Sequence, residues 1–95
     1  MTSLETVLVP ARDYCVREIG GETIFLADSG DQIHVLDELG TFVWHEIDGR
    51  RSLGEILDRI CAEYDVARET AERDLLRFVD EITEMGLVTH LAAHQ

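Results

Sequence analysis

The sequence predicts an α+β domain, a three-stranded antiparallel sheet followed by three helices in a winged-helix-like order. Three observations predict it. Gly20-Gly21 separates two β-type runs, and paired glycines take the positive φ angles of a tight hairpin at little steric cost. After Asp37 the apolar residues change from strand spacing to helical spacing. Ser52-Leu53-Gly54-Glu55 is a capping box immediately ahead of a periodic apolar run.

Taken in order, Tyr14 to Ile19 reads as the first strand and Thr23 to Ala27 as the return strand. Asp28-Ser29-Gly30-Asp31 is turn chemistry. Ile33-His34-Val35-Leu36 is the third strand, at one edge of the meander. Asp37 follows at once and is placed to cap a helix whose buried stripe is Leu39, Phe42, Val43 and Ile47. Asp48-Gly49 ends that helix. In the second helix Leu53, Ile56, Leu57, Ile60, Cys61 and Tyr64 keep one face apolar. A third and longer helix runs from about Arg68 to Met85, burying Ala71, Leu75, Phe78, Val79, Ile82 and Met85. Gly86 is suited to the position just past its C-terminus. Leu87 to His90 returns as a short extended segment, and the last few residues are expected to fray. The apolar residues before Pro10 suit either an arm that docks or a frayed end.

The 95 residues make one domain. A chain of this length hides only roughly 60–65% of its unfolded surface, so one modest, mostly aliphatic core is expected. Twenty acidic residues face eight arginines and no lysine, for a net charge of −12. Such a field repels phosphate, so nucleic acid and anionic membranes are not expected partners, whereas partners with basic patches are favoured in encounter. The third helix repeats the pattern, with Glu69, Glu72, Asp74, Asp80, Glu81 and Glu84 against Arg68, Arg73 and Arg77. Glu69 and Arg73 stand in the favourable i, i+4 order. No apolar run approaches the ~20 residues of a membrane span, and the N-terminus lacks a signal-peptide pattern, which makes the cytoplasm the expected location.

Cys15 and Cys61 have no metal-ligand spacing, and Cys61 is expected as a buried reduced thiol. There is no glycine-rich phosphate loop, no HExxH and no CxxC. The histidines read as structural or solvated, and the carboxylates as solvated helical faces. The expectation is a protein that is not an enzyme and needs no cofactor or metal.

The run Leu36-Asp37-Glu38-Leu39-Gly40-Thr41-Phe42-Val43-Trp44, then Ile47-Asp48-Gly49, Ser52-Leu53-Gly54-Glu55-Ile56, Asp74 with Phe78, and Gly86-Leu87-Val88 form an ordered set over about residues 14–90. This set resembles the PqqD-like family. One departure is Asp37, where the family commonly has Asn; both cap helices. The middle segment is more similar to the broad PqqD-like group than to the members of the quinone pathway. The resemblance implies a recognition element for ribosomally made, post-translationally modified peptides. Such a domain is a peptide chaperone: it binds the leader of a precursor peptide by strand addition and presents it to a modifying enzyme. In the founding pathway, pyrroloquinoline quinone (PQQ) biosynthesis, that enzyme is a radical SAM maturase. The resemblance also places the leader along the third strand, in a groove shared with the third helix.

The residues agree with that implication. Strand addition needs only an open edge and leaves no catalytic motif, and the third strand has no Lys or Pro to blunt it. The backbone of Ile33, His34, Val35 and Leu36 is expected to carry the hydrogen bonds. Leu76 lies off the main stripe of the third helix, flanked by Glu72, Val79 and Thr83, and this flank is the expected groove wall. Glu72 and Arg73 are candidates to select charge on the leader, and Arg50 and Arg51 to touch an acidic maturase. The N-terminal arm or a second copy of the chain, in a homodimer, are alternative occupants of the edge. A winged-helix regulatory, DNA-binding or protein-interaction module is the alternative of another class.

Overall fold

The computed structural model describes residues 2–12, 14–27, 30 and 32–91. The expected turn residues Asp28, Ser29 and Asp31 and the expected frayed residues 92–95, His94 among them, lie outside the described residues. The chain order is β1 (Leu8–Pro10), β2 (Tyr14–Ile19), β3 (Glu22–Ala27), β4 (Ile33–Leu36), α1 (Glu38–Glu46), α2 (Leu53–Glu63), α3 (Arg68–Glu84) and β5 (Val88–His90). The α+β class and the order of three sheet strands before three helices are as expected. The sheet runs β2-β3-β4, so β4 is an edge. Gly20 and Gly21 both have positive φ, 60° and 85°, and register Ile19 against Glu22.

The N-terminal arm docks. β1 pairs antiparallel with β5, Leu8 against His90 and Pro10 against Val88, in a second sheet of two strands. The carbonyls of Leu4 and Thr6 accept the amides of Gly54 and Leu53 at 2.8 and 2.9 Å, and the Leu8 carbonyl accepts that of Gly49 at 3.1 Å. The first amides of a helix have no partner inside it. In α2 they are satisfied by this arm together with the capping box: the Ser52 hydroxyl accepts from the Glu55 amide and the Glu55 carboxylate from the Ser52 amide. Leu8 is thereby buried in the core.

The C-terminus of α3 closes as a Schellman motif. The Gly86 amide donates to the Thr83 carbonyl and the Leu87 amide to the Ile82 carbonyl, both at 3.0 Å, with Gly86 at φ 80°. The Tyr14 hydroxyl donates to the next free carbonyl, Met85, at 3.0 Å. This bond ties the start of β2 to the end of α3.

The core is aliphatic, as expected, with Phe25 as its largest buried side chain. Phe25 meets Trp44 of α1 edge to face at a centroid distance of 4.7 Å. Beside it Thr23 and Thr41, both buried, share a hydrogen bond of 2.7 Å between their hydroxyls. Three expectations about side chains need correction. Leu39 is 47% exposed and Phe42 only half-buried, because the inward face of α1 is Gly40, Thr41, Val43 and Ile47. Phe78 and Cys61 are likewise half-buried and Met85 exposed. Glu46, expected on a solvated face, is buried, with its carboxylate against Arg59 and 3.6 Å from Arg51. Arg51 also lies 3.3 Å from the Asp48 carboxylate, so it serves the α1–α2 turn from within. Both cysteines are free, Cys15 exposed.

Two expected outcomes follow. Thr41→Val strands the buried Thr23 hydroxyl and should lower unfolding free energy by about 1–3 kcal/mol, whereas Thr23→Val with Thr41→Val should cost less than the two single changes added; urea titration of the four proteins measures this. Asp48 accepts the amides of Arg51 and Arg50 at 2.8 and 2.9 Å, and these bonds, Arg51 first, hold its carboxyl below the usual value. A carboxyl lowered in the folded state adds stability above its unfolded pKa and loses it as the pH falls through its folded pKa. Asp48→Asn should therefore be less stable than the parent at pH 7, with the gap in urea midpoint closing toward pH 3.

Candidate peptide-binding site

β4 is four residues long and pairs only on its β3 side, Ile33 with Leu26 through Leu36 with Thr23. The Ala27 amide donates to the Gln32 carbonyl at 3.0 Å. In an antiparallel ladder, bonded and non-bonded pairs alternate. Phe25 with His34 and Thr23 with Leu36 then face each other as bonded pairs, which turns the N–H and C=O of Ile33 and Val35 outward. Of the four expected backbone positions, two therefore serve the open edge, and His34 and Leu36 are committed to β3. No other described strand covers those outward groups, since β1, the alternative occupant from this chain, is paired with β5.

The other edge of the sheet, β2, is unlike it. There Arg17 donates to the Val16 carbonyl at 3.1 Å, and Glu18 meets His45 of α1 at 2.5 Å. Charged side chains blunt an edge against added strands; β4 has none. The side chains of Ile33 and Val35 stand on the outer face of the sheet, 62% and 55% exposed. On the inner face, the ring of His34 lies 6.1 Å from that of Tyr14. Its Nε2 atom is buried without a hydrogen-bond partner.

The junction between β4 and α1 sets what lies beyond the strand's end. The Asp37 carboxylate accepts the Gly40 amide at 2.8 Å and caps α1. At Gly40 a Cβ would come within 3.2 Å of Asp37, Leu36 and the Phe78 ring. The missing side chain thus lets α3 approach the end of β4. There a cavity of about 350 Å³ opens, walled by Leu39 and Val43 of α1, Ile60 and Tyr64 at the end of α2, and Leu75 and Phe78 of α3, with Asp37 and Asp74 also lining it.

The α3 residues beside the end of β4 are therefore not those of the expected flank. Val79 has no exposed surface, and the Thr83 hydroxyl is donated to the Val79 carbonyl at 2.7 Å. Leu76 is half-buried and packed against the core. Leu76 and Phe78 point about 160° apart on a helix that turns ~100° per residue. Thr2 donates to Asp80 at 2.9 Å, which puts the N-terminal segment beside the Glu72/Leu76/Thr83 flank. Arg73 lies outward with Asp74, at 3.8 Å, as its carboxylate neighbour. The strand's end is met by Phe78 and the cavity by Asp74, on the opposite side of the stripe. Both residues stood in the sequence resemblance, but spacing alone could not tell which flank of α3 would face the strand.

No group of three or more metal-binding side chains is found among the described residues. No described helix is long and apolar enough to cross a membrane.

Comparison with known proteins adds three findings. The family model described as coenzyme PQQ synthesis protein D (PqqD) matches residues 5–88. The PqqA binding protein of Gluconobacter oxydans (strain 621H) is 25% identical over 83 residues, which are 87% of this chain and 86% of that protein. The solved structure of TbiB1 in complex with the TbiA(beta) leader peptide is similar at a TM-score of 0.76 and 30% identity, covering 88% of this chain and 98% of that one. With the family model spanning most of its length, and the sheet, junction and helices arranged as described, this chain belongs to the PqqD family.

Proposed function

We propose that this chain is a non-catalytic peptide chaperone. It binds the leader of a ribosomally made precursor peptide as an added strand along β4 and presents the rest to a modifying enzyme, a radical SAM maturase of PQQ-type or related peptide modification. The observation that carries this reading is the open, uncharged edge of β4, with the N–H and C=O of Ile33 and Val35 directed outward. Two relatives support it: one is named for binding PqqA, and the other is seen with a leader peptide.

The chemistry asked of the site is modest. Backbone pairing at two residues supplies four hydrogen bonds, and each contributes about 0.5–1.5 kcal/mol net. The leader's alternate side chains then fall on the two faces of the enlarged sheet. Those on the outer face join Leu26, Ile33 and Val35, already exposed there; those on the inner face approach Phe78. The acidity of the chain favours leaders and enzymes with basic surfaces.

Binding is expected to slow hydrogen exchange at the Ile33 and Val35 amides when the labelled protein meets PqqA or the TbiA(beta) leader, the peptides named with its two relatives. Val35→Pro removes one outward amide without touching the β3 ladder, and edge strands tolerate proline. It should weaken leader binding about tenfold, the equivalent of ~1.4 kcal/mol, with the fold intact by circular dichroism. Amide changes confined to residues 48–52, or unaltered affinity in the folded variant, would count against strand addition at β4.

A further inference from the structure

The cavity at the end of β4 has a chemical character that backbone pairing does not explain. We propose that it is a specificity pocket, taking an apolar or aromatic side chain of the bound peptide together with a cationic side chain two residues away. This inference rests on strand addition at β4 and adds to it which sequences are accepted.

Three features carry it. The first is size: at about 350 Å³ the cavity lies at the lower end of ligand pockets, which suits one or two side chains rather than a cofactor. The second is lining. Leu39, Tyr64, Leu75 and Phe78 give an apolar floor with two aromatic rings, whereas Asp37 and Asp74 are the charged lining residues and no cation is among them. Arg73 lies 3.8 Å from Asp74 and is turned largely to solvent. Two carboxylates beside aromatic faces attract a cation both by charge and by the ring quadrupole. Asp37 keeps one oxygen on the Gly40 amide and has a second with which to accept.

The third feature is continuity. Cross-strand partners place their side chains on the same face of a sheet. A peptide residue opposite Leu36 therefore points inward with it, toward the Phe78 ring beside Gly40. Residues i and i+2 of a strand share a face about 6.6 Å apart. An apolar residue seated at Phe78 thus brings its second neighbour to the carboxylates. The chemistry selected is apolar, any residue, then Arg or Lys, read in whichever direction the peptide runs.

The probes are the capped tripeptide amides N-acetyl-Phe-Ser-Arg and N-acetyl-Arg-Ser-Phe, each against its counterpart with Glu in place of Arg. Amide shifts of Gly40, Ala71, Asp74 and Phe78 report occupancy at millimolar peptide. At low salt one arginine peptide should bind about tenfold more tightly than its glutamate counterpart, as expected for an ion pair at a partly screened surface. Asp37→Asn with Asp74→Asn removes both charges and keeps a capping side chain. In that variant the preference should fall to within about twofold, with urea stability as the check on the fold. Equal shifts from arginine and glutamate peptides, or a preference that survives the double variant, overturn the pocket. A parallel titration with the natural leader separates the two readings. Protection at Ile33 and Val35 without any charge preference leaves strand addition standing and the pocket refuted, whereas no protection there refutes both.

Discussion

The site depends on the close approach of α3 to the strand-to-helix junction at Gly40. Leu36 is buried, Asp37 caps, and at Gly40 the absent Cβ leaves room for the Phe78 ring. With no loop between β4 and α1, the strand cannot shift without moving the helix. The helix in turn is locked over the sheet by the Trp44–Phe25 contact and the Thr23–Thr41 hydrogen bond. An edge strand is ordinarily the part of a sheet most free to fray. Here it is attached to a capped and closely packed helix, so an open edge and a packed core coexist within four residues.

The N-terminal segment makes that arrangement possible by being used elsewhere. A short chain with few strands has every reason to close its own sheet edges. Residues 4–11 instead supply carbonyls to the first turn of α2, pair with β5, and bury Leu8. The α1–α2 turn is tightened from its other side by Asp48, Arg51 and buried Glu46. Glu46 is better understood as a hub for Arg51 and Arg59 than as part of a solvated face. Paired in this way, its burial is tolerable; losing both arginines would leave a charge in the core.

Much of this was legible in the sequence wherever one residue type answers one local need. Gly20-Gly21, Asp37, the Ser52–Glu55 box and Gly86 each announced a turn or cap, and each forms as the chemistry requires. The aliphatic core of α2 and α3 followed from periodicity. What was not legible depends on which neighbour a face meets. β1 is three residues long and gains its identity from β5 at the far end of the chain, a pairing no local pattern encodes. Glu46 carries the same side chain as any solvated glutamate, and its burial comes from two arginines brought by the turn and by α2. Leu76 and Phe78 are both apolar residues beside one stripe, and only the packing of α1 against α3 decides that Phe78 lies by the strand. The outward turn of Ile33 and Val35, rather than of all four β4 residues, follows from ladder alternation once the register is known.

On the proposed strand addition, that alternation would make the backbone of β4 a reader of facing and not of content. Two outward residues offer four backbone groups, and backbone groups are the same in every sequence. A guest strand displaced by a single residue would exchange its faces, whereas one displaced by two would keep its faces and its backbone bonds and bring different side chains to the end of β4. Backbone pairing would then fix the face that each side chain takes, and side-chain fit would fix the frame. Every residue downstream would then sit at a fixed count from the end of β4, at about 3.3 Å per residue if extended. A platform of this kind works as a ruler: it sets how far along a tethered chain an enzyme docked beside it can reach.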